Sequence, residues 1–318
     1  MKIESKEVLL TFDVEGPPLR EDFLNEEIIV ALFKVLKLLK KYDAKGLFFI
    51  TATVAEQIPR YPKILELLKA QEIGYHSSSH SVKPAIFEYT DTESYVKAVE
   101  ISRKRETSSI DPLSRNICGK GGILTLRQIF PEKEIVSFRA PFFCWSPPHL
   151  EALRNLEFKF DFSADICNVP VLYNGVTFFP YPIMIDSPVI NFPIIMKKML
   201  RQNFCILLMH PSHVVFKLRE FFYHQYTNPF HPIRIRKRAP TQVTSRFLEL
   251  ETFLSMLHLL RKKGLIKLTN RLERAENTLD PQEIDVVKVY NKSLYAAKNL
   301  FGYKPKFLLS HFYSFFRT

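Results

Sequence analysis

Residues 7–16 read EVLLTFDVEG, an apolar strand that closes on two acidic residues. Similar short apolar runs recur along the chain and alternate with helical patterns, which predicts β/α units around a mainly parallel sheet. The predicted strands cover residues 7–13, 46–51, 72–76, 135–139, 158–163, 188–192, 204–210 and 265–269. The predicted helices cover residues 21–42, 61–70, 92–105, 147–156 and 246–263.

The composition is that of a folded protein. Hydrophobic residues make up 46% of the 318 residues and charged residues 25%, which excludes a mostly disordered chain. The 9 glycines exclude a collagen-like chain or a glycine linker. The 4 cysteines form no C-x-x-C pair, which argues against a disulfide framework or a cysteine-zinc site.

The positive charge is concentrated near the C-terminus. Residues 1–231 hold 28 basic and 26 acidic side chains, a net charge of +2, whereas residues 232–318 hold 17 and 7, a net charge of +10. Attraction to an anionic partner is therefore expected from the last quarter of the chain.

Two domains are predicted: a (β/α) barrel over residues 1–271 and a basic, aromatic helical extension over residues 272–318. Long loops are predicted at 107–122 and 221–240. The first residues leave no room for a signal peptide, and no apolar run reaches the about 20 residues that span a bilayer. The expected location is the cytoplasm.

Chemically capable side chains follow several predicted strands. Where parallel strands curl into a barrel, their carboxyl ends converge at one face, so these residues form a candidate site. The residues are Asp13, Glu15, His76, His80, Arg139, Asp161 and His210.

By itself, the pair His76 and His80 is only weak evidence for a metal site, because two histidines in a loop can instead form hydrogen bonds with neighbouring residues. Asp13 and Glu15 strengthen it, because residues two apart on a strand point to the same side. Two imidazoles and a carboxylate make a three-ligand site with positions left for water and substrate. Acids pointing into solvent at a strand end remain the alternative.

Four ordered segments together resemble the polysaccharide deacetylase family, also called the NodB-homology domain or carbohydrate esterase family 4. They are TFDVEG at 11–16, HSSSH at 76–80, FRAPFF at 138–143 and LLMH at 207–210. The resemblance covers residues 5–270 and implies an α/β fold, a distorted (β/α) barrel of about seven parallel strands, here with a C-terminal helical appendage. It also implies hydrolysis of N-acetyl or similar acyl groups with a divalent metal, zinc before cobalt, manganese or nickel.

The resemblance implies a role for each motif residue. Asp13 would be the general base, with Arg139 paired to it. Glu15, His76 and His80 would hold the metal. The commonest family pattern has two adjacent aspartates, whereas Val14 separates the two acids here, and Glu15 is one methylene longer than Asp.

The remaining roles concern the acyl group and the leaving amine. The turn at Pro141 would present the backbone N–H of Phe142 to the oxyanion, with the only tryptophan, Trp145, nearby on the substrate side. His210 would be the general acid, and His213 is predicted to be a loop residue.

An acidic partner for His210 is harder to identify, because the family's tryptophan-bearing fourth motif is missing. Asp186 is placed in the catalytic set as this partner, and Asp161 is the other candidate.

The expected substrate is an aminosugar within a glycan, a nucleotide sugar or a lipid-linked sugar. The aromatic stretch at 221–232 could stack on sugar rings, although loop packing is the simpler interpretation. One alternative is a retired enzyme scaffold that binds an anionic membrane or a protein through RIRKR at 234–238 and the C-terminus. Another is a formamide or ureide hydrolase on the same fold. Nucleic acid is disfavoured because no known binding module is present.

Overall fold

A computed structural model describes most of the chain. The described residues are 5–15, 24–80, 86–110, 116–185, 188–201, 203–215, 244–270, 272, 276–301 and 303–317. The aromatic and basic stretch at 221–240 and the predicted catalytic Asp186 lie outside them.

The strands form one large sheet and a small hairpin. They are β1 Lys6–Val14, β2 Leu47–Ile50, β3 Glu72–Tyr75, β4 Ser108–Ile110, β5 Ile117–Lys120, β6 Ser137–Phe138, β7 Phe160–Asp161, β8 Val171–Tyr173, β9 Val176–Phe178, β10 Ile183–Met184, β11 Phe204–Met209 and β12 Ile266–Thr269. Within the described residues, eight strands make a continuous parallel ladder in the order β10, β11, β1, β2, β3, β6, β7, β9. Strand β12 pairs in parallel with β1, and β8 is antiparallel to β9.

The sheet curls into a half-barrel with helices around it. The helices are Leu24–Lys41, Ala52–Ala55, Pro62–Lys69, Ile86–Thr90, Tyr95–Glu106, Ile123–Ile129, Pro147–Asn155, Pro188–Arg201, Pro211–Val215, Thr244–Lys262, Val286–Phe301 and Leu308–Arg317. Short 3₁₀ turns lie at Ile58–Arg60, Pro141–Phe143 and Pro281–Glu283. The predicted α/β class, with parallel strands in a distorted barrel and a helical C-terminal region, is confirmed.

Two local predictions are wrong. Residues 188–192 were predicted to be a strand but belong to the helix Pro188–Arg201. The apolar run continues beyond them and ends in basic residues, and a run of this length favours a helix over a strand. The stretch 107–122, predicted to be a loop, contains the antiparallel pair of β4 and β5.

Strand β1 is central to the sheet and positions the candidate residues. It is buried along most of its length and pairs with β2 on one side and β11 on the other. The register aligns Asp13 with Phe49 in β2 and Phe12 with Met209 in β11. Because all these strands run in parallel, the residues that follow them emerge at the same edge of the sheet.

The C-terminal helices pack onto the rest of the protein through aromatic side chains. The ring of Trp145 lies 4.9 Å from that of Phe312 and 6.5 Å from that of Phe316. All three belong to the same buried cluster as Val8, Leu10, Phe12 and Val14 of β1. The division into domains at residue 271 stays a prediction. None of the helices in the described part of the chain combines the length and apolar character that crossing a bilayer requires.

Candidate active site

The first feature of the site is a buried ion pair. The Nη1 atom of Arg139 lies 2.6 Å from Oδ1 of Asp13, and Nη2 donates to Thr11 Oγ1 at 3.1 Å. Arg139 is fully buried, with its guanidinium 4.2 Å from the ring centre of Phe49. The two residues predicted to pair are therefore in contact, and the aromatic surroundings exclude water that would weaken the attraction.

The second feature is a cluster of one carboxylate and two imidazoles. Oε2 of Glu15 lies 3.1 Å from Nε2 of His76 and 2.8 Å from Nε2 of His80. One ligand atom from each of the three residues falls within 4.8 Å of the others, and all three side chains are buried. His76 Nε2 is also 3.9 Å from Oδ2 of Asp13, so the ion pair and the cluster adjoin.

The hydrogen bonds of His76 indicate that the cluster needs a positive charge. Its Nδ1 lies 2.7 Å from the carbonyl oxygen of Arg139, which can only accept, so Nδ1 carries a proton. A neutral ring would then direct the lone pair of Nε2 at the carboxylate of Glu15, which is repulsive. A proton on Nε2 or a metal ion removes this repulsion, and a backbone carbonyl behind a histidine is the usual support of a metal ligand. The donor set therefore fits a divalent metal.

The electrostatics of the cluster act in the same direction. Burial by itself would raise the pKa of Glu15, but the charge of His80 and the hydrogen bonds from His76 and His80 hold that pKa well below its usual value. His210 adds a smaller lowering effect on the pKa of Glu15. Burial by itself would lower the pKa of His76, yet Asp13 and Glu15 raise it. The carboxylate thus stays ionised and available to a cation.

A second buried carboxylate supports the loop that carries the two histidines. Oε1 of Glu106 accepts from Ser77 Oγ at 2.9 Å and lies 2.7 Å from His149 Nε2, while Oε2 accepts from the Tyr75 hydroxyl at 2.7 Å. Ser77 has a left-handed backbone with φ of 65°, which is unfavourable for a residue other than glycine. The bond to Glu106 stabilises this conformation and thereby places His76 and His80 on either side of the turn.

The turn after β6 has an unusual backbone. Phe142 and Phe143 have φ of 54° and 56°, within the 3₁₀ turn Pro141–Phe143. Just before the turn, the N–H of Ala140 donates to Ser163 Oγ at 2.7 Å, and that hydroxyl donates to Asp161 Oδ2 at 2.9 Å. The turn is thus fastened to β7.

The ring of Phe142 contacts the metal-binding cluster, with its centre 4.2 Å from that of His80. Trp145 follows the turn and is almost completely buried among the C-terminal helices. Of the residues predicted to surround the acyl group, Phe142 is therefore next to the cluster, and Trp145 is packed against the C-terminal helices.

His210 follows β11 at the same edge of the sheet and stacks on His213, with ring centres 4.4 Å apart. The prediction that His213 is a loop residue is wrong, because it is buried in the helix Pro211–Val215. The carboxylate oxygens of Asp161 accept hydrogen bonds from the N–H and hydroxyl of Ser163 and from the N–H of Ala164. Asp161 therefore does not act as the partner of His210 in this arrangement.

Sequence reasoning missed Glu106, His149 and Ser163. A signal for Glu106 does exist in the helix Tyr95–Glu106, where Ala98, Ser102 and Glu106 share the buried face at a spacing of four residues. An acid in line with two small buried residues indicates a buried carboxylate with specific partners.

Comparison with solved structures finds proteins of low sequence identity and low structural similarity to this chain. A putative polysaccharide deacetylase from Mycobacterium smegmatis is 16% identical, with 86% of this chain and 96% of that chain covered and a TM-score of 0.48. A carbohydrate esterase family 4 pseudoenzyme from Bacillus anthracis is 17% identical, with 87% and 68% covered and a TM-score of 0.42. A putative polysaccharide deacetylase involved in O-antigen biosynthesis from Bordetella bronchiseptica is 17% identical, with 77% and 89% covered and a TM-score of 0.38. None of these scores supports an inference about this chain.

No curated protein matches the chain at a significant level. The sequence model of the family described as polysaccharide deacetylase matches residues 2–111. The matched part contains the acid pair and both histidines of the cluster. The first third of the chain is therefore similar to the polysaccharide deacetylase family, in agreement with the motifs that it contains.

Proposed function

We propose that this protein is a metal-dependent hydrolase that removes an N-acetyl or similar acyl group from an aminosugar. The observation that carries the proposal is the convergence of Glu15, His76 and His80, with the ion pair of Asp13 and Arg139 directly beside them. A three-ligand centre next to an oriented carboxylate is the arrangement that metal-assisted hydrolysis of an amide needs.

A metal held by Glu15, His76 and His80 would supply Lewis acidity at the acyl oxygen and at the attacking water. Asp13 then acts as the general base that takes the proton of the attacking water. Arg139 orients Asp13 through a charge-assisted bond and keeps the carboxylate ionised, so that one carboxylate oxygen, Oδ2, faces the cluster. The preference for zinc is part of the proposal.

Phe142 and His210 complete the reaction. Phe142 has a left-handed backbone and its ring contacts His80, which supports a role for its backbone N–H in stabilising the charge that develops on the acyl oxygen. His210 donates a proton to the leaving amine, which is too basic to depart without one. The imidazole of His213, stacked on His210, fixes the plane of the ring.

The substrate is proposed to be an aminosugar in an oligosaccharide, a nucleotide sugar or a lipid-linked sugar, and the proposed location is the cytoplasm. The aromatic rings around the site favour a sugar, because apolar ring faces pack on the C–H faces of pyranoses. Contact of the basic C-terminal region with an anionic membrane is a further part of this proposal.

The test is acetate release from N-acetylated sugars by the zinc-loaded protein and by its Asp13→Asn variant. Asparagine keeps the shape of aspartate but cannot take a proton, so turnover is expected to fall at least about a hundredfold. Asp43→Asn is the matched control, because Asp43 is a largely exposed acid paired with Arg261 far from the cluster. Full activity of Asp13→Asn would show that another group is the base, and inactivity of the metal-loaded wild-type protein on all acylated sugars would overturn the proposal.

A further inference from the structure

An apolar groove lies at the surface where the helix Leu24–Lys41 packs beside the helix Pro62–Lys69. Its volume is about 670 Å³. Cavities of about 300–1,000 Å³ are typical of sites for small molecules. None of the described residues that line the groove belongs to the ion pair of Asp13 or to the cluster of Glu15, so the groove is separate from the candidate active site.

The base and the walls of the groove are apolar. Ile29 and Ile64 are buried at its base, whereas Val30 is 40% exposed. Phe33 and Tyr61 are half-buried and add aromatic surface. Surface helices normally direct polar side chains at water, so apolar side chains grouped at this place are unusual. A ligand with a hydrocarbon chain would remove them from water, which is favourable.

Cationic side chains border this apolar surface. They are Lys34, Lys37, Arg60 and Lys63. Among the described residues that line the groove, none is acidic. The ammonium of Lys37 is directly beside the apolar wall, with its Nζ atom 5.5 Å from the ring centre of Phe33. A hydrocarbon chain in the groove would therefore have positive charge at its end.

Within the described part of the chain, three of these cations have no carboxylate partner. Lys37, Arg60 and Lys63 belong to none of the ion pairs found there. Lys41, on the same helix as Lys37, does pair with a carboxylate, that of Glu251. Cations that are grouped without a counter-charge attract an anion.

The size, the apolar surface and the charge of the groove together indicate the ligand. A hydrocarbon without charge would leave the cations without a partner, and inorganic phosphate would leave the apolar surface in water. A specific protein partner buries about 1,200–2,000 Å² in total. The apolar lining here comes from two short segments only, residues 29–33 and 61–64. A small molecule that combines a hydrocarbon chain with a negative charge fits best.

We propose that this groove binds the hydrocarbon chain of an anionic amphiphile, whose negatively charged head group contacts Lys37, Arg60 and Lys63. The amphiphile is either a free molecule or a lipid within a bilayer, because both present the same chain and charge. The inference goes beyond the proposed function and does not depend on it, since this binding needs neither a metal nor hydrolysis. The groove is also separate from the basic C-terminal region.

The test is the affinity of the intact protein for dodecyl phosphate below its micelle concentration, measured by isothermal titration calorimetry. Lys37→Glu reverses a charge at the border and Val30→Trp fills the groove, so each is expected to weaken binding about tenfold, equivalent to about 1.4 kcal/mol. Both residues are exposed, so neither substitution disturbs the core. Lys40→Glu and Val96→Trp are the matched controls, because Lys40 and Val96 are exposed helical residues that do not line the groove.

Two partial ligands test the two halves of the amphiphile. Dodecanol has the chain without the charge, and inorganic phosphate has the charge without the chain. Each is expected to bind at least about tenfold more weakly than dodecyl phosphate. Dodecanol that binds as tightly as dodecyl phosphate would overturn the inference, because the cations would then have no role.

Vesicles with and without phosphatidylglycerol identify the source of the amphiphile. Weaker sedimentation of Lys37→Glu and Val30→Trp with the anionic vesicles supports a lipid within a bilayer. Unchanged sedimentation, together with weaker binding of dodecyl phosphate by both variants, supports a free amphiphile. Absence of dodecyl phosphate binding by the wild-type protein, or equal affinity in the variants and their controls, overturns the inference. Binding of an acidic amphipathic peptide in the groove in preference to dodecyl phosphate also overturns it.

Discussion

Two buried clusters of a carboxylate and histidine lie in the described part of the chain, and they differ in how the carboxylate is satisfied. Glu106 accepts hydrogen bonds from Tyr75 and Ser77 and pairs with His149. Glu15 instead lies between two imidazole nitrogens that converge on one of its oxygens. The carboxylate of the first cluster is satisfied by protein donors, whereas in the second a proton or a metal ion is needed to remove the repulsion between Glu15 and the lone pair of His76.

The comparison teaches that residue type alone does not identify a metal centre. A carboxylate surrounded by hydroxyl donors is a structural support, because every lone pair already has a proton directed at it. A carboxylate facing two imidazoles, one of them fixed by a backbone carbonyl, fits the ligand set of a metal. The same kind of substitution should therefore abolish metal binding in the cluster of Glu15 and leave it unchanged in the cluster of Glu106.

The largest effect is expected from removing a histidine of the ligand set. His80→Ala should lower acetate release by at least about a thousandfold, because the metal contributes several kcal/mol to the barrier. His149→Gln is the matched control in the other cluster and should retain most of its turnover at temperatures where it is folded. Similar losses of turnover in both folded variants would contradict the distinction between the two clusters.

The next effect concerns stability. Arg139→Met leaves Asp13 charged and buried without its partner, so the free energy of unfolding should fall by about 3–5 kcal/mol. Urea denaturation measures this loss. Arg127→Met serves as the control, since Arg127 is only partly buried and donates to the carbonyl of Leu156, and it should cost about 1 kcal/mol. Equal losses of unfolding free energy in the two variants would show that the ion pair of Asp13 and Arg139 contributes no more to stability than an ordinary hydrogen bond.

A smaller effect should follow from neutralising the second carboxylate. Glu106→Gln should lower the free energy of unfolding by about 1–3 kcal/mol, because one oxygen that accepted bonds becomes a donor. Metal content should remain unchanged. Loss of metal from the Glu106→Gln protein would show that the cluster of Glu106 is required for metal binding by Glu15, His76 and His80.

The pH dependence of stability tests the same residue. Burial opposes ionisation of Glu106, but His149, Tyr75 and Ser77 lower its pKa below the ordinary value of 4.5. The stabilisation from this lowered pKa is therefore complete above pH 4.5 and is lost as the pH falls through the folded-state pKa. Unfolding curves from pH 6 to about pH 3 should fall less steeply for Glu106→Gln than for the wild-type protein. Parallel curves would contradict this origin of the acid sensitivity.

The smallest effect is expected at Ser77, which connects the two clusters. Ser77→Ala removes the bond that holds the left-handed turn, so metal affinity should fall about tenfold, the usual cost of losing a supporting contact. Competition with a chelator dye measures the change. Ser310→Ala, an exposed serine in the terminal helix, should bind metal as the wild-type protein does. Unchanged affinity in Ser77→Ala would mean that the loop keeps its shape without Glu106.

The sequence predicted the parallel sheet and the residues at its edge because both follow from local patterns. Strand β1 and the pair His76 and His80 are recognisable from a few consecutive residues. That they lie close together follows from the general rule that the carboxyl ends of parallel strands converge. Residues 188–192 were assigned to a strand because a short apolar run does not distinguish a strand from a helix.

The remaining parts of the site depend on contacts between distant segments. Glu106 and His149 are 43 residues apart and meet only when two helices pack together. Likewise, the apolar groove exists only because the helix Leu24–Lys41 packs beside the helix Pro62–Lys69. The residue spacing indicates that Glu106 is buried but does not identify its partner, because packing between separate segments depends on their three-dimensional arrangement.

The most direct test of the account is the metal content of the purified protein and of two matched variants, Glu15→Gln and Glu106→Gln. Each is incubated with excess zinc, separated from unbound metal and analysed by elemental analysis. The account predicts about one equivalent of metal in the wild-type protein and in Glu106→Gln, and almost none in Glu15→Gln. No stoichiometric metal in the wild-type protein, or equal amounts in both variants, would contradict it.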